Sequence, residues 1–357
     1  MKFTEDFLSI VLENRPLLDV RAPVEYDKGS FPNATNIAIM DDEQRRLIGI
    51  RYKEEGNASA VKLGRELVNE EEQVQRIKDW KIFIQNNPNA YLYCFRGGQR
   101  SEITQMWLEE AGIEIARLKG GYKAFRNFLT QESETITSTI STIIVGGRTG
   151  SGKTILLQEL DNMIDLEGLA KHRGSTFGKV IDEQPSQVDF EDALYYKLIQ
   201  HKANGHKHLV IEHEGNRIGR VHLPKTVHDD FSKGGLVILQ TSIDERIEIT
   251  YDEYVTLSLE SYAKVYGLDA RAKWYEEVVG GLDRIKRRLG SQAHLEIRAQ
   301  CLDAYESGND TGHKVWIKRL LHDYYDPMYD YQIEKTDIPI LFRGNKSEVL
   351  EFIKNKG

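Results

Sequence analysis

Thr142-Ile143-Ile144-Val145-Gly146-Gly147-Arg148-Thr149-Gly150-Ser151-Gly152-Lys153-Thr154 decides how this chain folds. Thr142 to Val145 is an apolar, β-branched strand, and Gly147 to Thr154 reads G-x-x-x-x-G-K-T, a P-loop. Glycines let the backbone fold tightly, so that successive N–H groups point at phosphate oxygens. Lys153 then reaches the terminal phosphate, the Thr154 hydroxyl is placed to hold Mg²⁺, and a helix is expected over residues 155–166. Such a loop recognises diphosphate geometry rather than adenine, so a nucleoside triphosphate and a prenyl diphosphate both fit it.

Working outward toward the N-terminus, a second anion cradle precedes the first by about fifty residues: Cys94-Phe95-Arg96-Gly97-Gly98-Gln99-Arg100-Ser101. Strands are expected at 16–21, at 90–93 ending on Cys94, and at 113–118; helices are expected at 101–111 and 122–129, with a turn at 119–121 between them. Strands alternating with helices imply an α/β fold with a parallel sheet. A cysteine at the carboxyl end of a strand, before a glycine-bearing loop and a helix, meets backbone N–H groups and a helix N-terminus. With Arg96 and Arg100 beside it, the thiol is expected to ionise easily and to attack a sulfur, selenium or phosphorus donor. Cys301 has no such neighbours and reads as structural.

Residues 131–141, rich in Ser, Thr and Glu, read as a linker between a first domain (1–130) and a P-loop α/β domain (142–243), whose later strands lie at 208–211 and 236–239. From residue 244 to 357 the chain reads as mainly helical. The 357 residues, 40% hydrophobic and 29% charged, are those of a soluble globular protein. No apolar run of about 18 residues and no secretory leader is evident, so cytoplasm is the expected location and no membrane contact is expected. Two cysteines are too few for a disulfide framework. A net charge of −8 argues against a generally sticky nucleic-acid binder, yet leaves room for local basic faces.

Several segments resemble known families. Asp19-Val20-Arg21-Ala22-Pro23-Val24-Glu25-Tyr26, Gly29 through Ile37 and Lys119-Gly120-Gly121-Tyr122 resemble a rhodanese domain over roughly residues 1–130. Five residues separate Cys94 from Arg100, one more than in ordinary sulfurtransferases, so a plain thiosulfate sulfurtransferase is disfavoured. The same spacing occurs in cysteine phosphatases, where Asp41 or Asp42 would have to supply the general acid. The fusion of this domain to a P-loop domain resembles the tRNA 2-selenouridine synthase family. The resemblance also rests on His172-Arg173-Gly174-Ser175-Thr176-Phe177-Gly178, Pro185-Ser186-Gln187, Glu212-His213-Glu214, Arg217-Ile218-Gly219 and residues 324–329.

That resemblance implies an enzyme that replaces sulfur by selenium in the wobble 2-thiouridine of tRNA. Selenophosphate would be the selenium donor, and geranyl diphosphate would first alkylate the thiocarbonyl sulfur. In this reading Gly147, Arg148, Thr149, Gly150, Ser151, Gly152, Lys153 and Thr154, with Arg173 and Ser175, hold the diphosphate. Cys94 either receives selenium as a perselenide or directs its delivery, and Arg96 and Arg100 stabilise the anion. No tightly bound cofactor and a monomer are expected. Glu212 and Glu214, ending an apolar strand, are candidate acid/base groups or Mg²⁺ partners.

Arg217, and the run Arg284, Lys286, Arg287 and Arg288, are candidate tRNA contacts. A second basic group, Lys314, Lys318 and Arg319, surrounds Trp316, and residues 324–329 form an aromatic stretch in which Pro327 is expected to break a helix. Basic and aromatic residues together suit RNA. The competing readings are a rhodanese-type sulfurtransferase driven by ATP or GTP hydrolysis at the P-loop, and a nucleotide-binding regulatory module, which would need neither Cys94 nor its arginines.

Overall fold

A computed structural model describes residues 2–175, 177 and 180–356; Thr176 and Gly178 of the His172–Gly178 stretch lie outside them. The fold is α/β. The chain divides into two units, residues 1–136 with 186–204, and residues 137–185 with 205–357.

The first unit carries five strands: β1 (Phe3–Thr4), β2 (Leu17–Asp19), β3 (Ala34–Asn36), β4 (Tyr91–Tyr93) and β5 (Ala116–Leu118). They form one parallel sheet in the order β1-β5-β4-β2-β3. All three residues of β2 are buried, as expected of a strand covered on both faces. Leu18, Leu92, Trp80 and Leu108 belong to the core that joins the sheet to its helices. Strand β5 starts later than expected because Gly112, at φ +74°, and the Ile113 N–H bond to the Leu108 carbonyl extend the preceding turn.

The stretch 131–141, expected to be a linker, is helical for most of its length and not irregular. The helix is Gly121–Thr139, and the division between the units falls inside it. Phe125, Leu129, Ser133 and Ile136 are buried at helical spacing. The hydroxyls that made this stretch look irregular bond back along the helix, Thr130 to the Arg126 carbonyl and Thr135 to the Gln131 carbonyl. A second departure concerns the helix Gln187–Ala203, which sequence order assigned to the P-loop domain. It packs in the first unit, where Arg126 pairs with Glu191 and Asp192, and Gln200 donates to the Val11 carbonyl at 2.9 Å.

The second unit holds β6 (Ser141–Gly147), β7 (His208–Glu212), a small hairpin of β8 (Arg217–Ile218) and β9 (Val221–His222), then β10 (Gly235–Leu239) and β11 (Ile340–Gly344). Its main sheet is parallel in the order β11-β10-β6-β7. The C-terminal region is therefore not only helical: β11 returns to the sheet edge, and the helix Lys346–Lys356 buries Val349 and Ile353 in the same core as Val145, Val210 and Val237. The expected helix 155–166 is only Lys153–Leu157. It stops because residues 162–164 run beside β7, with Val210 N–H on the Asn162 carbonyl and Ile164 N–H on the Val210 carbonyl. A short helix, Leu166–Ala170, follows.

Between β10 and β11 a helical bundle is built on Trp274, Leu282, Ile285, Trp316, Ile317 and Leu321. It contains two π-helical turns, Asp252–Thr256 and Leu321–Tyr325. Pro327 does not break the helix there. It sits in the first turn of the helix Asp326–Lys335, where its missing N–H costs little, directly after the second π-turn.

Candidate functional site

In the first unit, Cys94 follows β4 directly at the carboxyl end of the sheet, where open α/β sheets bind ligands. It is 3% exposed; its Sγ lies 3.2 Å from the Ser101 hydroxyl and 3.9 Å from the Gly98 carbonyl. Ser101 donates to that same carbonyl at 3.0 Å, so its oxygen is turned to accept from the thiol. The loop is closed by backbone. Tyr122 and Lys123 N–H groups bond to the Cys94 and Phe95 carbonyls at 2.9 and 3.0 Å. Gly121, at φ +60°, comes so close that a Cβ there would lie 2.3 Å from the Cys94 oxygen.

The two arginines of the loop differ. Arg96 is exposed, with its guanidinium 5.9 Å from the Phe95 ring. Arg100 instead donates two hydrogen bonds to Glu25, at 2.5 and 3.2 Å, and Arg45 adds a third contact at 3.1 Å. Burial pushes the Glu25 carboxyl up, but the bonds and charge of Arg100 with the charge of Arg45 outweigh it, and Glu25 ends below its ordinary value. Arg100 thus faces a carboxylate and is not a free anion clamp at the thiol, whereas Arg96 is open to solvent. Beneath them Arg21 is buried against Asp19 at 2.6 Å and lies 4.1 Å over the Tyr122 ring.

In the second unit a cavity of about 290 Å³ opens on the phosphate loop. Thr149, Gly150, Ser151, Gly152, Lys153 and Thr154 form one wall, and Arg173, Ser175 and Glu214 also line it, so most of the predicted phosphate ligands do converge. Gly150 and Gly152 take φ +75° and +80°, which the loop geometry requires. Gly150 rests on the bundle: a Cβ there would lie 2.2 Å from the Thr250 hydroxyl. Lys153 Nζ donates to the Gly147 carbonyl at 3.2 Å. Arg173 donates to the Glu253 carbonyl at 3.1 Å, and the Ser175 hydroxyl meets that of Tyr254 at 2.8 Å.

Three predicted members stand apart from this wall. Gly147 ends β6 beneath the loop. Arg148 points at the bundle, 2.8 Å from Asp330 and 3.5 Å from Asp326. Glu212 is 1% exposed and accepts the Leu166 N–H at 3.1 Å, so it supports the loop after β7 and does not line the cavity; burial pushes its pKa well above the ordinary value.

Residues that sequence reasoning missed complete the cavity. Asp165, Glu167, Lys171, Glu253 and Tyr254 line it, beside His172 of the stretch already singled out in the sequence. Burial, then the charge of Glu214, pushes Glu167 up to about 9, against the opposing charge of Lys153. Gly174, at φ +61°, presses on both acids: a Cβ there would lie 2.3 Å from Glu167 and 2.7 Å from Glu214. Burial lowers His172, and burial with the Lys153 charge lowers His213. Thr154 and Glu214 are the groups that would hold a Mg²⁺ shared with bound phosphates; among the described residues no cluster of three His, Cys, Asp or Glu forms a metal cage. No sequence signal marks Glu253 and Tyr254, because a π-turn shifts the helical register that would have shown which face they occupy.

The candidate RNA contacts lie elsewhere in this unit. Lys286, Arg287 and Arg288 are on the outer face of the helix Ala270–Leu289, whose Leu282, Ile285 and Leu289 point inward. Arg284 pairs with Glu277 at 3.1 Å, and Arg217 donates to the Gly219 carbonyl at 2.7 Å. The aromatic stretch does not offer stacking faces as a set. Tyr324 and Tyr325 are buried in the bundle core, and only Tyr331, just beyond it, is exposed.

A family profile described as the tRNA 2-selenouridine synthase AAA domain matches residues 140–357, and a rhodanese-like domain profile matches residues 5–128. The tRNA 2-selenouridine synthase of Sulfurovum sp. (strain NBC37-1) is 54% identical over 98% of both chains. The chain belongs to the tRNA 2-selenouridine synthase family. Proteins of that name from Alcanivorax borkumensis and Hydrogenovibrio crunogenus are each 44% identical over 99% of both chains. Family membership accounts for a thiol loop and a phosphate loop in one polypeptide. Among the described residues no helix is long and apolar enough to cross a membrane.

Proposed function

We propose that this chain converts wobble 2-thiouridine in tRNA to 2-selenouridine in two steps. The observation that carries the reading is the presence, in one chain with full-length relatives named tRNA 2-selenouridine synthase, of a diphosphate-sized cradle and a separate thiol cradle.

In the first step the thiocarbonyl sulfur attacks the C1 carbon of geranyl diphosphate. The C–S bond forms, the C–O bond breaks, diphosphate leaves with the electron pair, and the base loses its N3 proton. Backbone N–H groups of the loop, Lys153 and Arg173 stabilise the charge that grows on the departing diphosphate. Glu214, on the cavity wall with Glu167, is the group at hand for the released proton or for a Mg²⁺ on the diphosphate.

In the second step selenium of selenophosphate attacks C2 of the base, and the geranyl thiolate leaves. Water then cleaves the P–Se bond and releases phosphate. Cys94 and Arg96 direct this delivery, and Arg100 is a positioning residue that ties the loop to Glu25. Direct delivery is preferred to a perselenide on Cys94, because forming an S–Se bond from selenophosphate would either expel phosphite, with phosphorus two electrons richer, or release phosphate and require an external oxidant. The solvent-facing Lys286, Arg287 and Arg288 are placed to hold tRNA phosphates.

Nucleoside mass spectrometry tests the reading. Tandem conversion of 2-thiouridine to its geranylated form and then to 2-selenouridine supports it. Unchanged nucleoside accompanied by nucleotide hydrolysis would replace it with the sulfurtransferase alternative.

A further inference from the structure

A groove on the first unit is used by neither the thiol chemistry nor the phosphate cavity. It encloses about 510 Å³ and is lined by Asn57, Val61, Lys62, Arg65, Glu66 and Gln99. Gln99 opens the helix Gln99–Glu110 directly after Gly98, whose carbonyl receives both the Cys94 thiol and the Ser101 hydroxyl. One residue of the groove's lining, Gln99, therefore belongs to the thiol loop itself. The groove's other wall is the helix Asn57–Leu67, where Lys62 and Arg65 stand three residues apart and share a face.

Both cations are exposed, and among the described residues neither has a carboxylate partner. The preceding helix behaves differently: Arg45, Arg46 and Arg51 pair with Glu25, Glu43 and Glu55. In a chain of net charge −8, two neighbouring unpaired cations beside a reactive thiol mark a place for anionic partners. Asn57 and Gln99 add amides, each with donors and an acceptor, of the kind that read base edges. The groove is of the size that takes a nucleotide, and a single small oxyanion would leave most of it empty.

We propose that this groove seats the RNA strand flanking the base presented to Cys94, with Lys62 and Arg65 on two backbone phosphates and Asn57 and Gln99 against base edges. The proposal rests on the reading that Cys94 acts on an RNA base.

The test uses the full chain with Lys62→Ala and Arg65→Ala combined, and measures binding of a 2-thiouridine-containing tRNA between 50 and 200 mM salt. Loss of two phosphate contacts should lower the slope of log K against log salt by about 1.4, at about 0.7 per contact on a single strand. The charge-conserving pair Lys62→Arg with Arg65→Lys should keep the wild-type slope. An unchanged slope in the alanine variant, or an equal loss of affinity in both variants, would overturn the proposal. Loss of selenophosphate binding with tRNA binding intact would assign the groove to the small donor and overturn it equally. Mass spectrometry on the wild type judges the function separately. A wild-type protein that leaves 2-thiouridine unchanged, beside an alanine variant with a reduced slope, refutes the reading of the reaction and supports the groove.

Discussion

Arg246 holds Asp326 through two hydrogen bonds, at 2.6 and 3.1 Å, while its Nε donates to the carbonyl of Thr149 in the phosphate loop at 3.0 Å. Arg246 is 2% exposed, so this guanidinium is a buried charge compensated by Asp326 and the loop backbone. The pair joins the start of the helix Asp326–Lys335 to the loop that, on the proposed function, must stay rigid around a diphosphate. Removing one member of such a pair leaves the other charged and unpaired in the interior. Asp326→Ala should therefore cost about 3–5 kcal/mol in denaturant unfolding. Under conditions where the variant is still folded, it should also bind geranyl diphosphate more weakly in calorimetry. A loss below about 1 kcal/mol with unchanged affinity would show that the loop is held by other contacts.

Glu167 gives a pH dependence of defined sign. Its pKa is raised from 4.5 to about 9, so between those values the native state holds a proton that the unfolded chain has released. Stability contributed at this site is greatest below pH 4.5 and falls as pH rises toward 9. Diphosphate binding should follow the same direction without added metal, since an ionised Glu167 would repel the ligand. Affinity should drop as pH passes through about 9, and Glu167→Gln should flatten the profile. A profile that is level in the wild type, or equally steep in the glutamine variant, would remove Glu167 from the account.

Gly121 supports the thiol loop through its lack of a side chain. A Cβ there would meet the Cys94 carbonyl at 2.3 Å and the Gly97 nitrogen at 2.4 Å, and φ is +60°. Neither neighbour can yield, because both are backbone. Gly121→Ala should destabilise the first unit by about 1–3 kcal/mol from backbone strain alone, and should change the rate at which iodoacetamide alkylates Cys94. Alkylation at the wild-type rate would mean that the loop adapts.

The phosphate loop and the cysteine loop were legible in the sequence because each is a contiguous run whose spacing encodes a strand, a turn and a helix start. The parallel sheets followed from the alternation around them. What was hidden depended on distant partners. Glu25 holding Arg100 joins positions 75 residues apart, and Asp330 holding Arg148 joins positions 182 apart. The helix Gly121–Thr139 was obscured by Ser and Thr, whose hydroxyls bond within the helix rather than to a loop. Strand β11, with its exposed Ile340 and Leu341, lacks the buried apolar run that identified β6, β7 and β10, and only its pairing with β10 defines it. Tyr324 and Tyr325 read equally as stacking platforms or as core residues, because composition does not distinguish a core tyrosine from a surface one.

On the proposed function the two cradles divide the reaction, and one experiment can separate their parts. The pure full chain, its Cys94→Ala variant and its Lys153→Ala variant are each incubated with a 2-thiouridine-containing tRNA, geranyl diphosphate and selenophosphate, and the nucleosides are followed by mass spectrometry. The account predicts 2-selenouridine from the wild type, accumulation of S-geranyl-2-thiouridine from Cys94→Ala, and unreacted 2-thiouridine from Lys153→Ala. If a folded Cys94→Ala protein lost geranylation as completely as selenation, the assignment of the two steps to the two cradles would be wrong.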